Sequence, residues 1–432
     1  MRIAIFTETY LPQINGVVTH IKILKEGLES LGHTVLIVTA DAKAHRHYIE
    51  DGVLHCPAHT LKRIYNMCLA SPVSSARLHY LREFNPDIIH LHTEFSVGLS
   101  GLAIAKILKV PVVYTLHTMY DDYIYYIAPK PLVPLTRKLS HHYFRIFPQH
   151  TNVVTGPSKK CQEYTTEIGS DKKVEVIPNP VELDAFHPST STQEQRNEIR
   201  NKLGIPLDAT VACFVGRLGR EKSVDVLLRF WAQEMKPEDN MRLMIVGDGP
   251  EKEPLEQLAK ELKITDTVVF TGKVVHDELP PYIHTCDIYV TASLSDTNSI
   301  SMLEGMAGGL PVLQLYDELN ADQVQDGVNG YMFRDAKEMG QRLRQIRDMD
   351  PAQLQVLKAS VIQSVKNSGA QTLANYIQTI YYNIYKTQPP KNAPCFTWQA
   401  FLPCVKNSFP AQKSNICDKN SAFSRAFIIY AQ

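Results

Sequence analysis

No CxxC pair and no close grouping of cysteine with histidine at zinc-site spacing occurs in this chain, whose eight cysteines stand at positions 56, 68, 161, 213, 286, 395, 404 and 417. That excludes zinc-ribbon and redox-pair designs and leaves reduced, mostly buried thiols as the expectation. An excess of either charge is missing too: Lys plus Arg and Asp plus Glu both number 45, which argues against a nucleic-acid binder acting through overall positive charge. Any basic surface must be local. No uninterrupted apolar run reaches the roughly 20 residues of a membrane span, and RIAIFT begins a strand pattern with no charged and apolar leader ahead of it. A cytoplasmic protein is expected, and no repeat of solenoid period is visible.

What is present is an ordinary globular mixture, 44% hydrophobic and 21% charged, over 432 residues. That length suits two domains of roughly 180 residues and a remainder. Short β-branched runs (RIAIFT, TVLIVTA, DIIHLH, VPVVYTLH, NVVTGPS, KVEVIPN) alternate with amphipathic stretches, the first a helix from about Thr19 to Leu31. After the polar stretch from Pro188 to Arg200 the pattern restarts with ATVACFVGRL, MRLMIVGDGP, TVVFTG, CDIYVTAS and LPVLQLY. Repeated βαβ units imply an α/β protein with two parallel, doubly wound sheets and a cleft at their strand C-termini. The expected divisions are 1–185, 186–365, a terminal helix in 366–387 packing back on the first domain, and an irregular basic tail over 388–432.

Three loops carry chemistry. In TETYLPQINGVVTH, Gly16 lets backbone N–H groups approach a phosphate at a helix start, although a glycine there also serves plain turn chemistry. In FVGRLGREKSVDVLL, Gly216, Arg217 and Lys222 end a strand with two fixed cations suited to a diphosphate, the alternative being a solvated basic turn. Downstream, the turn at Gly247 and the FTGKV segment ending at Val274 present backbone to a base and ribose. In SLSDTNSISMLEGMAGGLPVL, Asp296 precedes Glu304 by eight residues, with Ser299, Ile300 and Ser301 opening a helix between them. Carboxylates accept sugar or ribose hydroxyls and the helix start holds phosphate oxygens.

Here the sequence resembles glycosyltransferase family four, which carries an acidic residue, seven intervening residues and a glutamate before an AMAxGxPV run; GRLxxEK at 216–222 and PNPVELDAF at 178–186 extend the match. The resemblance covers about residues 1–385 and implies the GT-B fold, two Rossmann-like domains facing a central cleft. By position it implies Arg217 and Lys222 on the diphosphate, Glu304 on the ribose, Asp296 on the transferred sugar and Gly16 on the phosphates. The chain departs from the family at Asp296, where glutamate is usual, and at Ser299, where glycine is usual. His117, at the end of VPVVYTLH, reads as structural by itself; the resemblance places it beside the donor's anomeric carbon. The HTMYDDYIYY context is similar to bacterial diacylglycerol glucosyltransferases, which makes Tyr120, Asp122 and Tyr123 acceptor-side candidates against the plainer reading of an aromatic surface patch.

His90 and His92 alternate on one strand without an evident third ligand, so no metal is assigned. The stretch from Tyr123 to Gln162 holds six Lys or Arg and no acid. Within it PLTRKLSHHYFRIF reads as a helix with Leu135, Leu139, Tyr143, Ile146 and Phe147 on one side and Arg137, Lys138 and Arg145 on another. Lys62 and Arg63 lie in a second acid-free stretch. Such faces suit an anionic membrane surface or, equally, a core helix with a solvated basic side. With the resemblance, which implies retention of configuration, the expected function is transfer of a hexose, glucose from UDP-glucose, to a lipid acceptor such as diacylglycerol or a glycosyl-diacylglycerol at the inner face of the membrane. The alternatives are a same-fold transferase with a soluble acceptor, a nucleotide-sugar epimerase and a silent binding protein. Oligomeric state is not readable from the sequence.

Overall fold

The computed structural model describes residues 1–13, 15–61, 67–126 and 128–387. Lys62, Arg63 and the tail over 388–432 lie outside the described residues. The first domain builds one sheet from β1 (Arg2–Thr7), β2 (Thr34–Asp41), β3 (Tyr48–Glu50), β4 (Val53–Leu61), β5 (Met67–Ala70), β6 (Ile88–Leu91), β7 (Val112–Thr115), β8 (Val153–Gly156) and β9 (Val174–Val176). Their order is β3-β4-β2-β1-β6-β7-β8-β9, with β5 beside β4. The pairs are parallel except those of β3 and β5 with β4.

The second domain builds a wholly parallel sheet from β10 (Thr210–Val215), β11 (Met241–Val246), β12 (Val268–Gly272), β13 (Ile288–Thr291), β14 (Val312–Leu315) and β15 (Gly330–Phe333), in the order β12-β11-β10-β13-β14-β15. Helices cover both faces of each sheet, so β1 and β10 read as unbroken apolar runs instead of alternating ones. The strand order turns around at β1 and at β10, and crevices form outside strand C-termini at such switch points. Thr7 and Val215 therefore end at the rims of those crevices.

The helix expected from about Thr19 begins earlier, at Gly16, and runs to Ser30. Asn15 caps it, its side chain accepting the Val18 N–H, so capping chemistry and not the first apolar residue sets the start. The polar stretch before the second domain contains the helix Gln193–Lys202, which lacks an apolar stripe but opens with a Thr192–Gln195 capping box. The last helix, Ala370–Thr387, returns to the first domain and buries Leu373, Ala374, Ile377, Tyr381 and Ile384 against Ile3, Ile5, Ile21 and Leu24. A fully buried Leu or Ile contributes about 1.5–3 kcal/mol, so this helix fastens the chain end firmly. Gly27 permits the approach: a Cβ there would lie 2.6 Å from the Ala370 carbonyl oxygen. Among the described residues no helix is long and apolar enough to cross a membrane. The five described cysteines are buried and form no disulfide with one another.

Candidate active site between the two domains

Gly16 of the first domain faces Ile300 of the second, where a Cβ on Gly16 would lie 3.7 Å from Ile300 Cδ1. Two helix N-termini, those of Gly16–Ser30 and Ile300–Ala307, thus meet across the cleft, and each favours negative charge. Ser299 caps the second of them, its Oγ accepting the Met302 N–H at 3.3 Å, while Ser301 Oγ donates to the Val215 carbonyl at 2.7 Å. Serine at 299 therefore does capping work that glycine could not.

Lys222 and Asp296 pair at 2.5 Å, both only partly exposed. Burial opposes charge on Asp296, but the Lys222 ammonium and its hydrogen bond outweigh it and hold the carboxyl below its usual range. Burial also opposes charge on Lys222, and Asp296 in turn raises its pKa. Arg217 reaches Glu221. Gly216 and Gly247 meet back to back: a Cβ on Gly247 (φ 149°) would sit 1.9 Å from the Gly216 carbonyl oxygen, so close backbone approach itself demands glycine. Val274 packs its side chain on the second core.

Glu304, buried in the helix after Ile300, takes a 2.9 Å contact from His276 Nε2, and His276 Nδ1 lies 3.6 Å from Glu182. Burial raises the Glu304 pKa, with His276 acting against it. The Glu304 hydrogen bond raises the pKa of His276. Glu182 also holds Lys22 at 2.6 Å, which links this cluster to the helix that begins at Gly16.

On the first domain, His117 lies two residues past β7, with Nε2 2.9 Å from Nδ1 of His92. His20 joins them, its ring centroid 4.7 Å from that of His117. His90 is enclosed by Tyr381 at 2.6 Å and Thr115 at 2.7 Å. The segment Tyr120–Tyr126 forms a 3-10 helix. Tyr120 stacks on Phe144 and donates its hydroxyl to Glu94, while the Arg217 guanidinium stands 5.7 Å from the centre of the Tyr123 ring. Burial pushes Asp122 up to about 6, against the opposing Lys160 charge. Asp122, Tyr125, Arg220 and Ser295 line an open pocket of about 430 Å³ between the domains.

The sequence reading missed Lys160, Glu221, Glu94, His20 and Asn179. Lys160 crosses from the helix Lys159–Glu167 to Asp317 and the Leu294 carbonyl of the second domain. Glu221 accepts the hydroxyls of Tyr125 at 3.1 Å and Tyr126 at 3.0 Å, joining the Tyr120–Tyr126 segment to the loop of Arg217 and Lys222. Its signal was its place between Arg217 and Lys222 in the GRLGREK run. Lys160 had none beyond a basic pair at a helix start.

Glu94 carries a pH prediction. Burial raises its carboxyl from 4.5 to about 8, although Tyr114 and Tyr120 donate to it. The neutral form is therefore favoured in the fold: its stabilisation is complete below about 4.5 and lost as pH rises through about 8. Glu94→Gln, which cannot ionise, is expected to melt several degrees above the parent at about pH 9 and close to it at about pH 4. Melting curves across that range check the crossing, and a pH-independent difference would contradict it.

The helix with the expected basic face spans Val133–Phe144, and its apolar side divides. Leu132, Leu135 and Leu139 are 50%, 58% and 63% exposed, whereas Phe144 and Phe147 are buried. The single stripe expected through Phe147 fails because the helix ends at Phe144 and a separate short helix starts at Ile146. Lys138 is exposed, Arg137 reaches Asp121 at 3.3 Å, and Arg145 lies 3.3 Å from His142.

Residues 14–185 match the family model described as Glycosyltransferase Family 4, and residues 195–357 match Glycosyl transferases group 1. The chain is 33% identical over 392 residues to an alpha-monoglucosyldiacylglycerol synthase of Acholeplasma laidlawii, covering 89% of this chain and 97% of that protein. Against the enzyme of the same name from Streptococcus pneumoniae it is 33% identical over 333 residues, covering 77% and 75%. Among solved structures, Anabaena HepE in complex with UDP and glucose superposes with a TM-score of 0.68 at 17% identity, over 89% of this chain and 100% of that one.

Proposed function

The chain belongs to glycosyltransferase family 4 and has the GT-B fold, and on that premise we propose that it is a retaining hexosyltransferase that moves glucose from UDP-glucose to a membrane lipid of the diacylglycerol class. The second domain holds the donor and the first receives the acceptor. Lys222 and Arg217 bind the diphosphate, helped by the helix starts at Gly16 and Ile300, and Glu304 takes the ribose hydroxyls, exchanging its contact with His276 for them. Gly216, Gly247 and Val274 offer backbone to the nucleotide, and Ser299 and Ser301 hold the helix start in place. Asp296 addresses the transferred sugar, with His117 beside its anomeric carbon. Tyr123 and Asp122 stand on the acceptor side, and Tyr120 fixes their segment through Glu94.

The reaction breaks the bond from the anomeric carbon to the diphosphate and forms one to the acceptor hydroxyl on the same face. The departing diphosphate takes the hydroxyl proton. Cations and helix dipoles already aimed at that oxygen stabilise its growing charge without reorganising, and the closed cleft keeps water from competing.

The observation that carries the lipid half is the exposed row Leu132, Leu135 and Leu139 beside Arg137 and Lys138, on the domain that receives the acceptor. Three leucines at helical spacing that stay in solvent have no core to fill, and a buried basic helix would not leave them there. The 33% identity to two alpha-monoglucosyldiacylglycerol synthases supports the same reading. A site at the inner face of the cell membrane follows, with attraction of about 1 kcal/mol for each lysine or arginine near the surface. Flotation with vesicles of phosphatidylglycerol and phosphatidylcholine tests it. The parent is expected to float and L135D/L139D to stay behind, still folded. A parent that does not bind would favour a soluble acceptor.

A further inference from the structure

Three imidazoles converge where β6 and β7 leave the sheet: His92, His117 and, from the helix Gly16–Ser30, His20. One ring nitrogen of each lies within 4.8 Å of the other two. The surrounding hydrogen bonds decide what His20 offers. Asn179 donates its amide nitrogen to the Asn298 carbonyl at 2.7 Å, and its backbone N–H to the Asn298 side chain at 2.8 Å. That turns the amide oxygen of Asn179 toward His20 Nδ1, 3.0 Å away. An amide oxygen only accepts, so Nδ1 carries the His20 proton and Nε2 carries a lone pair. This Nε2 is buried and has no hydrogen-bond partner, and the same holds for Nε2 of His92.

Buried ring nitrogens without partners are costly to keep. Neutral imidazoles at this separation, one of them oriented by an amide oxygen behind it, have the form of a borderline-metal site with a supporting outer layer. We propose that His20, His92 and His117 form a site for zinc or a similar divalent transition ion, with Asn179 fixing the tautomer of His20. Without an ion, one of His92 Nδ1 and His117 Nε2, 2.9 Å apart, donates its proton to the other; an ion replaces that hydrogen bond, and each neutral ring then keeps one proton on the nitrogen turned away from it, so binding shifts tautomers without net proton release. Three protein ligands leave a fourth position open to water. Because the reading above puts His117 beside the reacting sugar, an ion held here opposes transfer; that clause alone rests on the proposed function.

The test is titration of the full chain with cobalt(II), read by visible absorption, with zinc as competitor and turnover followed in parallel. One cobalt ion per chain is expected to bind and to be displaced by zinc. His20→Gln should weaken binding by about 100-fold or more and Asn179→Ala by about 10–100-fold. His141→Gln, in the separate Asp121, His141 and Glu167 group, should leave it unchanged. Loss in His20→Gln also separates the site from binding by cysteine thiols. Melting curves confirm that each variant folds, and His92→Gln serves if His20→Gln does not. Failure of the parent to bind stoichiometrically, or His20 and His92 variants binding as the parent does, would overturn the site. Zinc binding lost in those variants but without effect on parental turnover would uphold it and count against His117 lying beside the sugar.

Discussion

Lys222→Ala is expected to lower turnover by about 10²–10³-fold in a protein that still folds. Lys222 is a cation held in place before any donor arrives: its ammonium sits 2.5 Å from Asp296, at the end of the loop that follows β10. Charge builds on the leaving diphosphate during transfer, and a preset cation in a closed cleft acts on that charge far more strongly than one in water. Alanine also leaves Asp296 to its burial, which pushes the carboxyl toward the neutral form once the lysine is gone. Both effects reduce turnover more than donor affinity. Steady-state kinetics with a melting curve on the same preparation check this, and near-parental turnover in a folded variant would contradict it.

Lys160→Met is expected to open the cleft. Lys160 and Asp317 are 5% and 10% exposed and pair across the two domains, so removing the lysine strands a buried carboxylate. Breaking a buried pair from one side costs about 3–5 kcal/mol when the rest stays in place. The chain relieves that cost by letting water reach Asp317, that is, by parting the domains. Small-angle scattering should report a larger radius of gyration, and kcat/KM should fall by about tenfold or more, because water enters and the donor loses contacts from the first domain. Parental dimensions and kinetics would mean that Lys160 does not hold the cleft shut.

The contrast between Lys222 and Lys160 shows what was legible in the sequence. Lys222 stands in GRLGREK, where glycine, arginine and lysine share one strand-to-helix turn, so local spacing already carried its chemistry. Lys160 meets Asp317 across 157 positions of chain, and His20 meets Asn179 across 159; no periodicity expresses such pairings. The central strands, among them β1, β2, β6 to β8 and β10 to β14, were readable because sheets covered on both faces give unbroken apolar runs, whereas the strands β3, β4, β5 and β15 were not among the runs the sequence offered. The helix Gln193–Lys202 was not, because its stability comes from capping and not from an apolar stripe. Tyr120 looked like a substrate contact from its neighbours in HTMYDDY, yet its ring and hydroxyl are taken by Phe144 and Glu94. Helical spacing placed Leu135 and Leu139 on one side with Phe147, but only tertiary packing decides that the leucines face solvent and the phenylalanine does not.

The proposed donor cleft, opposite an acceptor domain proposed to face lipid, makes one direct demand on the chemistry. The purified chain is given a panel of nucleotide-sugars with diacylglycerol and glucosyl-diacylglycerol in mixed micelles containing anionic lipid, and the products are read by mass spectrometry. The account predicts a glucosylated lipid from UDP-glucose, with release of UDP that depends on the lipid and is lost in Lys222→Ala. Absence of any glycosylated lipid across the panel, with soluble acceptors glycosylated instead, would contradict it.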